Sequence, residues 1–290
     1  MNLEERYLRR IHEVYPDLRG AGARLIETGQ YNDALVLDEE LIFRFPRFPE
    51  GVDRLEVEIA VLKGIRRSVS LAIPDPIWSS LETGSVGLTF AGYRMIPGKP
   101  LLREVLAQIG DNATLNRMAL QLGTFLRELH AVSVDQIGCR MPVPDVPAHW
   151  NDLYSRIRSK LYPQMNPEAG RQVSHHFESF LSDRRNLTFQ PVLTHGDFGS
   201  GNLLFDPKRA MMTGIIDFGF AGLNDPALDL AGLSTYGEPF LVRAAAVYPQ
   251  IEELMHRIRF YRGTFALQEA LYGVEHADRE AFRRGIATYG

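Results

Sequence analysis

The sequence predicts an α+β protein with a small, sheet-rich N-terminal lobe and a larger, helical C-terminal lobe. Short runs of apolar and branched residues, separated by turn residues, fill most of the chain between residues 24 and 95. Residues 96–100 contain two prolines and a glycine, which stop the last of these runs, and beyond them most apolar spacing has a helical period. We therefore expect one lobe at residues 1–96 and another at residues 97–290.

In the first lobe, apolar residues at helical spacing predict an opening helix over residues 3–14 and a second helix over residues 53–67. Five short runs predict strands, because each is rich in branched or aromatic residues and ends at turn residues. These runs are residues 24–28, 34–37, 41–45, 77–80 and 88–95. We expect them to form one five-stranded sheet whose first three strands are antiparallel.

In the second lobe, apolar residues recur at helical spacing over residues 115–129 and predict a long helix. The same periodicity predicts further helices near residues 150–161, 169–182, 228–247 and 249–273. Two short apolar runs, 192–194 and 214–216, interrupt the helical pattern as strands. Each run leads directly into a segment that carries an aspartate.

The composition is that of an ordinary globular protein, with 45% hydrophobic and 23% charged residues. A formal net charge of −4 argues against a nucleic-acid-binding surface and is compatible with a cationic small-molecule partner. The single cysteine, Cys139, has no internal disulfide partner, and no apolar run approaches the length of a membrane span. The first ten residues carry charges where a signal peptide has its apolar region. We expect a cytoplasmic monomer with no membrane or nucleic-acid partner.

The chemistry-bearing residues are Asp197, Asn202 five positions later, and Asp217 at the head of an Asp-Phe-Gly sequence. Phosphoryl transfer from a nucleotide needs one carboxylate to orient the acceptor hydroxyl, and a second carboxylate and an amide oxygen to hold Mg²⁺. Alone, a His-x-Asp pair also marks a metal ligand or a capped turn, and Asp-Phe-Gly also marks a strand that ends in a turn. In this order and at this spacing, the three residues predict a phosphotransferase.

The segment from His195 to Asn202, His-Gly-Asp-x-x-x-x-Asn, resembles the catalytic core of the aminoglycoside phosphotransferase family, whose members are relatives of the protein kinases. The resemblance implies a bilobal protein-kinase-like fold that uses ATP or GTP with Mg²⁺ to phosphorylate a hydroxyl group of a small molecule. It implies that Asp197 is the catalytic base and that Asn202 and Asp217 are the metal ligands.

The resemblance also assigns nucleotide-binding residues in the first lobe. Gly29 lies in the loop after the first strand, Arg44 stands in the third strand where the family has lysine, and Glu58 matches the glutamate that pairs with that lysine. Two alternatives stay open, that Arg44 faces outward while Arg47 or another cation serves, and that Glu58 is a surface residue paired with a neighbouring cation. Met95 and Ile96 resemble the segment whose backbone hydrogen-bonds the base.

The C-terminal third is most similar to the aminoglycoside 2''-phosphotransferases. Within it, Asp225 and Asp229 are expected to hold the catalytic loop through buried hydrogen bonds, and His130 is expected to be structural.

The resemblance implies that the acceptor is an aminoglycoside, a polycation that requires carboxylates near the base. Glu238 and Glu269 are expected to supply them, although each could equally be a solvated helix residue. Phe220 stands where the relatives carry an acid, so a macrolide or a metabolic alcohol stays open as the acceptor. Because Arg44 and the glycine-poor loop depart from the kinase pattern, a weakly active nucleotide-binding homologue also stays open.

Overall fold

The computed structural model describes residues 1–26 and 31–289. Its N-terminal part contains a five-stranded antiparallel sheet with the order β1-β2-β3-β5-β4. The strands are β1 (Ala23–Ile26), β2 (Asn32–Leu37), β3 (Leu41–Pro46), β4 (Trp78–Ser80) and β5 (Phe90–Arg94). The predicted five-stranded sheet is therefore correct, with strand boundaries shifted by one to a few residues.

Two helices cover the two faces of this sheet, α1 (Leu3–Val14) and α2 (Pro49–Ile65). Side chains alternate between faces along a strand. Phe43 and Phe45 of β3 pack with Tyr7 and Ile11 of α1 in one apolar cluster. Arg44, between the two phenylalanines, consequently points to the opposite face, where α2 lies.

The C-terminal part is mainly helical. Its helices are α3 (Arg103–Ala107), α4 (Asn112–His130), α5 (Val146–Lys160), α6 (Pro167–Ser182), α7 (Ala227–Ser234), α8 (Glu238–Ala244), α9 (Ile251–Glu275) and α10 (Arg279–Ile286). Two small sheets accompany them. Their strands are β6 (Lys99–Pro100), β7 (Val192–Thr194), β8 (Leu203–Asp206), β9 (Met211–Ile215) and β10 (Gly222–Asn224), paired in the orders β6-β8-β9 and β10-β7.

Two predictions need correction, and one helix was not predicted. The expected helix over residues 228–247 is two helices, α7 and α8, because Gly237 between them adopts a φ of +106°, outside the helical region. The segment 96–100 is not only a connection, since Lys99 and Pro100 pair with β8. The helix α10 had no counterpart in the prediction.

In the described residues, no helix combines the length and the apolar composition that crossing a membrane requires.

Candidate active site

The loop between β7 and β8 carries Asp197 and Asn202. The Asn202 side-chain amide donates to the Asp197 backbone carbonyl and to its Oδ2 atom, each at 2.9 Å. The backbone N–H of Ile216 donates to the Asn202 carbonyl at 2.9 Å, which joins this loop to the end of β9. The amide nitrogen of Asn202 is therefore engaged by the loop itself, and its Oδ1 atom is left as an acceptor or ligand.

Gly196 precedes the aspartate and is required by two constraints. Its φ is +81°, a conformation that L side chains rarely adopt. A Cβ atom at this position would lie 2.2 Å from the carbonyl oxygen and 2.9 Å from the Cβ atom of Phe220. Phe220 therefore packs directly on the backbone next to Asp197.

A fully buried carboxylate on α7 holds the backbone of the catalytic loop in place. Asp229 of α7 accepts hydrogen bonds from the backbone N–H groups of His195 at 2.7 Å and Gly196 at 2.9 Å. His130 Nε2 lies 3.0 Å from Asp229, and His130 Nδ1 lies 2.9 Å from the Tyr248 hydroxyl. Burial opposes ionisation, but the hydrogen bonds from His130 and the backbone lower the pKa of Asp229 below its usual value. The structural interpretation of Asp229 and His130 is confirmed.

Asp225 does not contact the catalytic loop, so that part of the prediction is wrong. Its carboxylate accepts from Arg257 Nε at 2.6 Å and from the Tyr261 hydroxyl at 2.7 Å, both on α9. It also accepts from the backbone N–H of Ala227 at the start of α7. Asp225 therefore ties α7 to α9, and Asp229 alone of the two acids holds the loop.

Asp217 follows β9 with a φ of +64°, a left-handed conformation that is uncommon for a residue other than glycine. Such outliers concentrate at functional sites, where the surrounding structure maintains them. The Asp217 side chain is 43% exposed and one of its oxygens, Oδ1, lies 2.6 Å from Arg44. No partner of Oδ2 is found among residues 1–26 and 31–289.

Arg44 links the two lobes. Its guanidinium lies 2.5 Å from Glu58 on α2 and 2.6 Å from Asp217. Arg44 is 6% exposed and Glu58 is 3% exposed, so the outward-facing arginine and the surface glutamate are both excluded. Although burial would lower the pKa of Arg44, the carboxylates of Glu58 and Asp217 together raise it.

Asp197 is an exposed residue, but the surrounding protein partly desolvates its carboxylate. Desolvation raises its pKa, His195 opposes the shift, and Asp217 adds to it because two nearby carboxylates repel one another's charge. A carboxylate with a raised pKa is a better proton acceptor than an ordinary aspartate. The structure thus brings Asp197, Asn202, Asp217, Arg44 and Glu58 into one connected cluster.

The expected base-binding segment lies at the end of β5. The backbone N–H of Met95 donates to the Glu40 carbonyl at 2.7 Å, so this donor already serves the sheet. Ile96 lies one residue further along, and no backbone acceptor for its N–H is found within the described part of the chain. Gly29, the expected phosphate-loop residue, lies outside the described residues.

The structure does not join the expected acceptor carboxylates to this cluster. Glu238 is held by both Arg259, at 3.0 Å, and Arg262, at 3.6 Å. Glu269 pairs with Arg284 of α10 at 2.7 Å. Each carboxylate is therefore already partnered by an arginine of the same lobe.

The sequence did not predict a group of three aromatic side chains near Asp197. The Phe220 ring lies 5.1 Å from the Tyr31 ring, which lies 5.7 Å from the Tyr272 ring. The Arg54 guanidinium lies 4.8 Å from the Phe220 centroid and 5.8 Å from the Tyr31 centroid. These residues come from four distant parts of the sequence, and the departure at Phe220 was the only signal that pointed to the group.

The model of the phosphotransferase enzyme family matches residues 22–261. Viomycin phosphotransferase from Streptomyces vinaceus is 29% identical over 293 residues, which cover 97% of this chain and 99% of that protein.

Among solved structures, the GDP and kanamycin complex of an aminoglycoside 2''-phosphotransferase is 26% identical, with a TM-score of 0.87 over 97% of this chain and 96% of that one. A macrolide 2'-phosphotransferase from Brachybacterium faecium, 21% identical with a TM-score of 0.70 over 92% of each chain, shares the fold. The predicted bilobal, protein-kinase-like fold and the similarity to 2''-phosphotransferases are confirmed.

Proposed function

Because the chain belongs to the phosphotransferase enzyme family and is a nucleotide-using phosphotransferase, we propose that it transfers the γ-phosphoryl group of ATP or GTP to a hydroxyl group of a basic antibiotic. An aminoglycoside is the preferred acceptor class. One observation carries the proposal, the cluster in which Asp197 and Asn202 face Asp217 while Arg44 joins Asp217 to Glu58. A phosphotransferase needs each of these parts, and none is missing.

Asp197 is the proposed catalytic base. Its Oδ2 atom is oriented by Asn202, and Oδ1 has no donor among the residues that the structure describes. That oxygen is available to the acceptor hydroxyl, which it aligns with the γ-phosphate and whose proton it accepts as the new bond forms. In the same step the bond between the γ-phosphorus and the bridging oxygen of the leaving nucleoside diphosphate breaks.

Asn202 Oδ1 and Asp217 Oδ2 are the proposed ligands of Mg²⁺. Mg²⁺ in phosphoryl-transfer sites takes one or two protein oxygens and completes its octahedron with phosphate oxygens and water. The donor set fits this ion, because it offers one amide oxygen and one carboxylate oxygen, the hard oxygen ligands that Mg²⁺ takes. When bound, the ion neutralises the charge that develops on the phosphates.

Arg44 is proposed to bind phosphate oxygens in place of the family lysine. A guanidinium carries five donors, so it can hold Glu58 and Asp217 and still present an N–H to a phosphate. Residues 1–96 and 97–290 then act as the nucleotide-clamping lobe and the catalytic lobe. Gly29 is proposed at the phosphates, and the backbone of Ile96, with Met95 beside it, at the base.

The acceptor class is supported by relatives that act on viomycin or bind kanamycin. Glu238 and Glu269 would have to exchange an arginine for a substrate cation, which lowers the gain from each contact. Because both glutamates are already paired with arginines, a second candidate acceptor is an uncharged or less cationic alcohol such as a macrolide.

The test incubates the purified protein and Mg²⁺ with γ-labelled ATP or GTP and, in parallel, kanamycin, gentamicin, streptomycin, viomycin, a macrolide and simple amino alcohols. We expect label transfer to at least one basic antibiotic. Transfer only to the macrolide or an amino alcohol would replace the acceptor class. Nucleotide binding without transfer to any acceptor would support the weakly active homologue.

A further inference from the structure

Phe220 and Tyr31 form an aromatic pair at the side of Asp197, and a cation already occupies it. The Arg54 guanidinium lies 4.8 Å from the Phe220 centroid, inside the range in which an aromatic face attracts a cation. The Tyr31 ring, 5.8 Å from the same guanidinium, meets Phe220 edge to face at 5.1 Å. The pair is therefore a surface that accepts a planar cation.

This pair lies within reach of the reacting groups. The carbonyl group and Cβ atom of Phe220 lie against Gly196, the residue directly before Asp197, and the ring extends from this point. Burial raises the pKa of the Tyr31 hydroxyl and Tyr272 adds to the shift, Arg54 opposes it, and the Asp197 carboxylate adds to it, so Tyr31 lies in the electrostatic field of both Arg54 and the base. An acceptor whose hydroxyl contacts Asp197 would have its neighbouring substituents against these rings.

Arg54 is held loosely. It is exposed on α2, and in residues 1–26 and 31–289 its guanidinium has no ion pair with a carboxylate. Glu58, one turn further along the same helix, is by contrast buried and paired with Arg44. Exposed cation–π contacts are weak, so a long side chain such as that of Arg54 can leave the rings at small cost.

Building on the proposed function, we infer that Phe220 and Tyr31 bind a guanidinium or ammonium group of the acceptor and that Arg54 competes for this site, which makes Arg54 a specificity-determining residue. The aromatic faces supply attraction that the partnered glutamates do not. The charge of Arg54 opposes entry of a polycation until its side chain moves away. Selection of the acceptor thus depends on whether its cationic group or the Arg54 guanidinium binds the two rings more tightly.

The test measures binding rather than turnover. Calorimetry with a non-hydrolysable ATP analogue and Mg²⁺ gives the Kd of streptomycin, kanamycin and viomycin for wild type, Arg54→Gln and the control Arg67→Gln. Arg67 is an exposed arginine just beyond α2, so its loss removes the same charge away from the rings. Removing the competitor should tighten binding of at least one acceptor by about two- to five-fold, the range of one exposed cation–π contact. Arg67→Gln should leave the Kd unchanged.

Phe220→Leu separates competition from a structural role. In the Phe220→Leu background, Arg54→Gln should tighten binding much less or not at all, because the nearer of the two rings, 4.8 Å from the guanidinium, is gone. Unchanged or weaker binding of all three acceptors to Arg54→Gln, or an equal gain in Arg67→Gln, would overturn the inference. So would weaker nucleotide binding by Arg54→Gln, which would make Arg54 a residue that positions α2. Absence of label transfer with binding intact would count against the proposed function alone.

Discussion

Four aspartates of the C-terminal lobe form two pairs that differ in what their oxygens contact. Asp225 and Asp229 are 0% exposed, and every carboxylate oxygen of both accepts a hydrogen bond. Asp197 and Asp217 each have one oxygen engaged and, within the described residues, one without a protein donor. The first pair serves the fold, and the second keeps a free acceptor for a ligand.

The difference has a physical cause. A buried carboxylate is costly unless donors compensate for lost hydration, so the fold surrounds Asp225 and Asp229 with N–H and O–H groups. A carboxylate that must accept a proton or bind a metal cannot be satisfied in that way. The left-handed backbone of Asp217 shows that the fold tolerates strain to keep this side chain at the cleft.

The largest expected effect concerns stability. Asp229→Ala leaves the N–H groups of His195 and Gly196 and the ring of His130 without their acceptor, and each buried donor left unsatisfied costs about 1–3 kcal/mol. Urea unfolding should show this loss of unfolding free energy. The matched variant Asp197→Asn should unfold near the wild-type midpoint. A stable Asp229→Ala protein would contradict the division of roles between the two pairs.

The next effect concerns Arg44. Arg44→Ala should weaken Mg-nucleotide binding by about 1.5–3 kcal/mol, the worth of a hydrogen bond to a charged group. Arg44→Lys should keep part of the affinity, because the charge remains while the planar fork is lost. Calorimetry with Mg²⁺ present measures both. Arg24→Ala, which removes a surface arginine paired with Glu39, is the control and should bind normally. Equal nucleotide affinity in wild type and Arg44→Ala would show that Arg44 does not bind the phosphates.

The smallest effect concerns a carboxylate that is neither buried nor catalytic. The hydrogen bonds from Arg156 and Lys160 lower the pKa of Glu275 to about 2, against an unperturbed value of 4.5. Because the pKa is lower in the folded state, ionised Glu275 stabilises the fold. Its contribution to the free energy of unfolding is complete above about pH 4.5 and is lost as the pH falls towards 2. Because Arg156 is partly exposed, Glu275→Gln should cost about 1 kcal/mol or less at neutral pH.

Unfolding free energies of wild type and Glu275→Gln, compared between pH 2 and pH 7, check this prediction. The difference should shrink as the pH falls through the window. A difference that stays constant across that window would mean that Glu275 contributes by packing rather than by charge.

Local patterns predicted much of the fold and part of the site. The apolar and aromatic run of β3, the helical spacing of α1, and the order of Asp197, Asn202 and Asp217 are short-range signals, and the structure contains each element and joins the three residues in one cluster. The break between α7 and α8 was missed because apolar spacing continues across it while one glycine turns the backbone.

Local sequence patterns did not predict the long-range contacts. The bridge from Arg44 to Asp217 spans 173 residues, and neither a local pattern nor the resemblance, which paired Arg44 only with Glu58, predicted it. The rings around Arg54 and the arginines that occupy Glu238 and Glu269 depend on how distant helices pack. Nothing in the local sequence reports such packing, and for that reason the acceptor side was predicted least well.

The rate of phosphoryl transfer by Asp197→Asn tests the central claim most directly. The measurement is single-turnover transfer from γ-labelled nucleotide to the acceptor found in the panel, beside the nucleotide Kd and the unfolding midpoint of the same variant. Loss of a general base should lower the rate by about 100- to 10,000-fold while nucleotide affinity and stability stay at wild-type values. A rate near wild type, or a loss explained by unfolding, would contradict the assignment of Asp197 as the base.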